Sequence, residues 1–379
     1  MAACNICAEP LDPPVYRSPR PRSVTSLCEL LDGHTEAFHC AVCQHVQTSP
    51  LPDLAAYYDT TYQILVGSEE EDQLYAVVGD RRVFRTEHQV ETLLRLVEVP
   101  RDARVLDFGC AKAATLKALC ERRSDVQPYV FDVSEMYRGF WEKFVPAENQ
   151  ATYQPRPEWL SRFDVVTSFF ALEHVADPRA VLAQAASLLC PGGVFYGIVP
   201  NLFTNTADLV VADHVNHFTG PSLRQLCTAA GLALEKADDT AHTGAWVFVA
   251  RKTPPISRLA VEEPLAARVQ ELAAYWRGFG ERVRAFELEH PAVPAAIYGA
   301  GFYGTFITTQ LERPEAVTCF LDQNPHRQKQ TLLDKPILAP ERLPPEVRVV
   351  YVGLNPAHAR ATIQAVPALA SGRLAFFYL

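Results

Sequence analysis

The chain has 379 residues, with 35 Lys and Arg against 44 Asp and Glu, a formal charge of −9. Such a length exceeds one ordinary core and points to two or three domains. The acidic balance argues against general binding of nucleic acid or an anionic membrane, and no apolar run approaches the ~20 residues needed to span a bilayer. The first residues, MAACNICAEP, lack a basic region followed by an apolar stretch. A signal peptide is therefore not expected, and the cytoplasm is the expected compartment.

In a reducing compartment clustered cysteines point to metal or catalysis rather than disulfides. Four of the ten are clustered, in CNIC (Cys4, Cys7) and CAVC (Cys40, Cys43). Two residues between cysteines let one tight turn aim both thiolates at one ion, and a second pair completes a tetrahedral zinc shell with no open position. The expectation is a structural zinc module over residues 1–65, with His39 the competing ligand. Cys28, Cys110, Cys120, Cys190, Cys227 and Cys319 read as small packed side chains.

From about residue 82 helices and strands alternate. RRVFRTEHQVETLLRLVEV has helical spacing; ARVLDFG reads as a strand, AATLKALCERR as a helix, PYVFDVS as a strand and EMYRGFWEKF as a helix. FDVVTSFFALEHV follows as a strand with its exit loop, PRAVLAQAASLLC as a helix and GGVFYGIVPN as a strand. This alternation predicts an α/β fold, a buried parallel sheet with helices on both faces, over residues 66–252.

Ligands in such sheets bind at the carboxyl ends of the strands. Asp107 and Gly109 close the first strand; Asp132, 25 residues after Asp107, closes the second, where a carboxylate can accept ribose hydroxyls. Ala111 and Ala113 stand where a dinucleotide loop prefers glycine. Those later glycines serve close approach to a pyrophosphate, which S-adenosylmethionine lacks, so the loop favours S-adenosylmethionine over NAD. Phe170 and Glu173, in the exit loop FFALEHVADP, are assigned to the same cofactor rim, with His174 beside them.

VLDFGC, FDVS, FDVVTSFFALEHVADP and LLCPGGVFYGIVPN resemble, in order, the motifs of class I S-adenosylmethionine-dependent methyltransferases. With the double Cys-x-x-Cys in front and a further α/β unit behind, the chain resembles the sugar C-methyltransferases that act on nucleotide-linked keto-deoxysugars. That resemblance implies a base that removes a proton next to a ketone. In DHVNHF it makes His214 the base and Asp213 the acid beside it, followed by His217 and Phe218; His174 matches a further active-site histidine. Asn201 and His217, with Tyr303 further on, are assigned to the substrate. Asp213, His217 and Val211 replace the family's usual Glu, Tyr and Tyr, departures that bear on the substrate rather than the methyl donor. Imidazole suits proton removal near neutral pH, and a neighbouring carboxylate orients it and raises its basicity.

RKTPPISRLAVEEP reads as a linker, and LAARVQELAAYWRGFGERVRAFELEH as one long amphipathic helix. PAAIYGAGFYGTFITTQL then runs strand, Gly299, Gly301 and Gly304, helix, and VTCFLD ends at Asp322. The expectation for residues 253–379 is this linker helix and a Rossmann-like unit. Read alone, the glycines and Asp322 form a dinucleotide fingerprint, so an NAD(P)-dependent enzyme is the runner-up. An O- or N-methyltransferase on another small molecule and a non-catalytic scaffold are further alternatives.

Overall fold

A computed structural model describes residues 2–253, 264–291, 293–370 and 372–379. The chain divides into two compact units. One comprises residues 1–14, 38–208 and 213–267; the other comprises 15–37, 209–212 and 268–379. Residues 15–37, expected with the cysteine module, thus belong to the second unit. The expected linker lies largely outside the described residues.

The first unit is built on a seven-stranded sheet: β1 (Arg104–Phe108), β2 (Gln127–Asp132), β3 (Gln150–Thr152), β4 (Phe163–Phe169), β5 (Leu189–Pro200), β6 (Leu232–His242) and β7 (Ala245–Lys252), in the order β3-β2-β1-β4-β5-β7-β6. β1 to β5 run parallel. Their near-continuous apolar sequence follows from burial on both faces. Along β1, Leu106 and Phe108 join one buried cluster and Val105 the other, as the two-residue period of a strand requires. The connecting helices are α1 (Arg85–Leu96), α2 (Ala114–Arg122), α3 (Arg138–Trp141), α4 (Pro178–Leu188) and α5 (Gly220–Ala229).

The all-parallel expectation fails at one edge. β7 pairs antiparallel with both β5 and β6. A two-residue turn at Thr243 and Gly244 (φ +73) joins β6 to β7, which is too short a connection for a parallel crossover. EMYRGFWEKF forms only the four-residue α3.

In the second unit the predicted long helix is two, α6 (Ala266–Arg277) and α7 (Phe279–Glu289), separated at Gly278. Trp276 and Phe279 flank the break and both pack on Phe306. The strands of its six-stranded sheet are β8 (Ala295–Tyr298), β9 (Val317–Leu321), β10 (Thr331–Leu332), β11 (Lys335–Leu338), β12 (Val349–Val352) and β13 (Ala375–Tyr378). Their order is β10-β11-β9-β8-β12-β13, parallel except for the β10-β11 hairpin. Helices α8 (Phe302–Gln310) and α9 (Pro356–Gln364) complete it, and Tyr303 lies on α8. No helix among the described residues is long and apolar enough to cross a membrane.

The glycine turn of this unit is committed to its own packing. A Cβ on Gly304 would lie 2.1 Å from the Gly299 carbonyl oxygen, and one on Gly299 would lie 2.3 Å from that of Gly353. Asp322, the expected ribose acid, accepts the Ala300 N–H (3.0 Å) and the Asn324 N–H (2.8 Å).

Candidate active site

The end of β1 turns at Gly109, whose φ of +73 and the 2.9 Å approach of Ala171 Cβ leave no room for a side chain. Ala111 (φ +44) and Ala113 (φ +56) also sit in the left-handed region. The loop therefore has a glycine-like backbone with alanine at both positions. The left-handed region costs a non-glycine residue roughly 1–2 kcal/mol. Bonds around the loop offset this: Ala111 N–H donates to Asp132 (2.7 Å), Trp141 Nε1 donates to the Ala111 carbonyl (2.6 Å) and Ala113 N–H donates to the Cys110 carbonyl (2.7 Å). Ala113 caps α2 rather than starting it.

Asp107 is buried at the end of β1 and accepts the Thr167 hydroxyl (3.1 Å); burial pushes its carboxyl up to about 8. Asp132 is pushed up to about 6 by burial, against the backbone donors Ala111 and Ser134. Each of its oxygens accepts one N–H and retains a second lone pair. Lys112, on the same loop, donates to the carbonyls of Ser68, Glu69 and Glu71 and so fixes the 66–72 segment against it. Phe170 (φ +53) follows β4, with the Arg85 guanidinium over its ring.

Beyond Phe170 a single helical turn, Leu172–His174, carries Glu173 and His174. His174 and His214 meet edge to face, 4.8 Å between ring centres. The carboxylate that holds His214 is not the adjacent Asp213. It is Asp208, in the short helix Thr206–Val210: Oδ1 lies 2.6 Å from His214 Nδ1. Asp213 instead faces His174, its carboxylate 3.7 Å from His174 Nδ1. The Tyr58 hydroxyl, on the Tyr57–Thr61 turn, lies 2.6 Å from His174 Nδ1 and 3.0 Å from the Asp213 carbonyl. Asp208 is not among the residues expected from the sequence. Its only signal is a carboxylate six and nine residues before two histidines.

His217, assigned from the motif to the substrate, is fully buried. Its Nδ1 meets Asp208 Oδ2 (2.9 Å) and its Nε2 meets the Thr48 hydroxyl (2.7 Å), so both nitrogens are engaged and neither faces an acceptor. It orients Asp208. Asn201 is buried at the end of β5, where its Oδ1 accepts the Phe203 N–H (3.0 Å).

The environments of the two histidines diverge. Burial works to lower His214, but the bond to Asp208 overrides it and raises the ring to about 9. Burial and the neighbouring His214 lower His174 to about 4. Glu173, fully buried, is pushed up to about 8 by burial. At neutral pH the pair therefore holds one charged and one neutral imidazole.

Cys4, Cys7, Cys40 and Cys43 converge so that their sulfurs lie within 4.8 Å of one another. Cys4 and Cys43 are 3.5 Å apart and Cys7 and Cys40 are 3.4 Å apart. A tetrahedral ion at 2.3 Å needs sulfurs about 3.8 Å apart, and the four thiols fit it. The knuckles reach the active site through Asn216. Its Oδ1 lies 3.2 Å from Asn5 Nδ2 and 3.2 Å from His45 Nε2, and its Nδ2 donates to the Leu172 and Val175 carbonyls, which bracket Glu173 and His174.

Residues 81–237 match the model of a family described as a methyltransferase domain. The ubiquinone biosynthesis O-methyltransferase of Xanthomonas axonopodis pv. citri is 31% identical over 102 residues, 26% of this chain and 43% of that protein. The mRNA cap guanine-N(7) methyltransferase of Caenorhabditis elegans is 25% identical over 197 residues, 46% of this chain and 50% of that protein. A solved S-adenosylmethionine-dependent methyltransferase from Mesorhizobium loti is 15% identical with a TM-score of 0.36, covering 43% of this chain and 97% of its own. The chain spans about half the length of the curated relatives it matches. It carries a class I S-adenosylmethionine-dependent methyltransferase domain.

Proposed function

We propose that this chain methylates a carbon next to a ketone in a nucleotide-linked keto-deoxysugar, with His214 as the base. The observation that carries the reading is the 2.6 Å contact between His214 Nδ1 and Asp208. In the neutral form of the ring it keeps the proton on Nδ1 and leaves the lone pair on Nε2. A carbon-bound proton calls for a stronger base than an acidic hydroxyl does, and Asp208 supplies that basicity. His214 Nε2 takes the proton, Asp208 stabilises the imidazolium, and His217 and Thr48 hold Asp208 in place. Asp213, Tyr58 and His174 position the acceptor's oxygen in this reading.

When bound, S-adenosylmethionine supplies an electrophilic methyl group. Asp107, Gly109, Asp132, Phe170 and Glu173 are the residues proposed to hold it. The close turn at Gly109 and the second lone pairs on Asp132 fit a nucleoside without a pyrophosphate. The cysteine cluster is read as a closed structural zinc site, and the β8–β13 unit as a Rossmann-like domain.

A second reading, O-methylation, draws support from the curated relatives, several of which are named ubiquinone biosynthesis O-methyltransferases. The two separate in deuterated water with a non-reactive cofactor analogue. Carbon methylation requires His214-dependent exchange of the proton next to the ketone; O-methylation gives no such exchange and a methyl ether product. Exchange that persists in His214→Gln removes His214 as the base.

A further inference from the structure

Besides the four cysteines, the described residues contain one other grouping with metal-ligating geometry: Glu173, His174 and His214, all buried, one ligand atom of each within 4.8 Å of the others. Three observations point to a ligand there. Each imidazole is held through Nδ1, His214 by Asp208 (2.6 Å) and His174 by the Tyr58 hydroxyl (2.6 Å), which leaves Nε2 of both for a further partner. Metal-bound histidines are oriented in this way by carboxylates and other acceptors behind the ring. Glu173 is 1% exposed, and its Oε2 is buried with no hydrogen-bond partner. An orphaned buried carboxylate oxygen costs free energy unless something fills its lone pair. Finally, Glu173, Asp208 and Asp213 place three buried carboxyl groups around two imidazoles, so the charge of a dication bound there would be compensated.

We infer that Glu173, His174 and His214 bind a divalent transition-metal ion, distinct from the ion proposed for the cysteines. Two imidazole nitrogens and one carboxylate oxygen suit zinc or cobalt better than magnesium or calcium. Three protein ligands leave a fourth position open, unlike the four-thiolate shell. Ligand atoms about 2.1 Å from an ion stand about 3.4 Å apart, so the cluster draws in around it. The ion takes the Nε2 lone pair through which His214 acts as base. Loading the site and removing a proton are therefore alternatives on one nitrogen. The site itself is independent of the proposed function; only its effect on turnover rests on that reading.

The test is a cobalt(II) titration of the full chain with zinc retained at the cysteines, followed by calorimetry and visible absorption. Expected is one further ion per chain, with the weak d–d bands of a nitrogen and oxygen ligand set and no sulfur-to-cobalt charge transfer. Glu173→Gln removes a ligand and should weaken it by at least about 10–100-fold. Tyr58→Phe removes only the support behind His174 and should weaken it by about 10-fold. This second variant keeps the test decisive where Glu173→Gln fails to fold. Cobalt that binds nowhere but the cysteines, or affinity unchanged in both variants, overturns the inference. Turnover that falls in step with loading supports both the site and the base; turnover that rises supports the site and removes His214 as the base.

Discussion

Replacing Asp208 by Asn removes the charge that makes His214 a strong base while preserving shape and one acceptor oxygen. With Asp208 in place His214 stands at about 9, against an ordinary value near 6.5. At about 1.36 kcal/mol per unit, the surroundings favour the imidazolium by about 3 kcal/mol. The folded value is raised, so this stabilisation is complete below about pH 6.5 and is lost as pH rises through about 9. In Asp208→Asn the burial that opposes charge remains, and His214 should titrate at or below 6.5. The measurement is a pH titration of ring resonances in histidine-labelled protein, with His214→Gln to assign the peak. The pH dependence of kcat/KM accompanies it, because only the neutral ring accepts a proton. Wild-type activity should climb until about pH 9; the variant's limb should break more than 2 units lower. Asp213→Asn should move the His214 titration less, since Asp208 is the larger influence. A wild-type His214 that titrates near 6.5, or one that responds to Asp213→Asn more than to Asp208→Asn, refutes the dyad.

Elemental analysis should find zinc at the cysteines, and Cys7→Ser with Cys43→Ser should lower the content by one ion per chain. Because Asn216 links both knuckles to the Leu172–Val175 turn, stripping that zinc should also shift the His174 resonances; unchanged shifts refute the linkage. Asp132→Ala should weaken S-adenosylmethionine binding by about 1.5–3 kcal/mol in calorimetry, the worth of a charged hydrogen bond. Ala111→Gly relieves a left-handed alanine (φ +44) and should raise stability by about 0.5–1 kcal/mol in urea unfolding, net of glycine's added chain entropy; a loss of more than that argues the backbone is not left-handed there. Gly304→Ala drives a methyl to within 2.1 Å of the Gly299 carbonyl and should cost about 1–3 kcal/mol, seen as a lowered transition of the second unit.

The cysteine pairs and the alternation through β1, β2, β4 and β5 were legible because each depends on local spacing: a two-residue gap fits one turn around an ion, and apolar runs of strand length imply burial on both faces. The same locality let DFG mark a tight turn and EH mark a strand exit. What local pattern could not decide was pairing at a distance. The antiparallel β6-β7 edge is set by the turn at Gly244, and β7 seats against β5 at Gly197, where a side chain would strike the Phe248 ring at 2.3 Å. Neither shows in a hydrophobic period. The alanines at 111 and 113 read as a loosened loop, yet tertiary bonds with Trp141 and Asp132 hold Ala111, and a local bond to the Cys110 carbonyl holds Ala113, in the backbone glycine would have chosen. Asp213 was the natural partner of His214 because it is its neighbour in the chain, but consecutive residues direct their side chains apart. Asp208, six residues earlier, is turned back onto both His214 and His217 by a short helix. Residue type along the chain determined which chemistry was present; which carboxylate serves which imidazole was decided only when the fold buried them together.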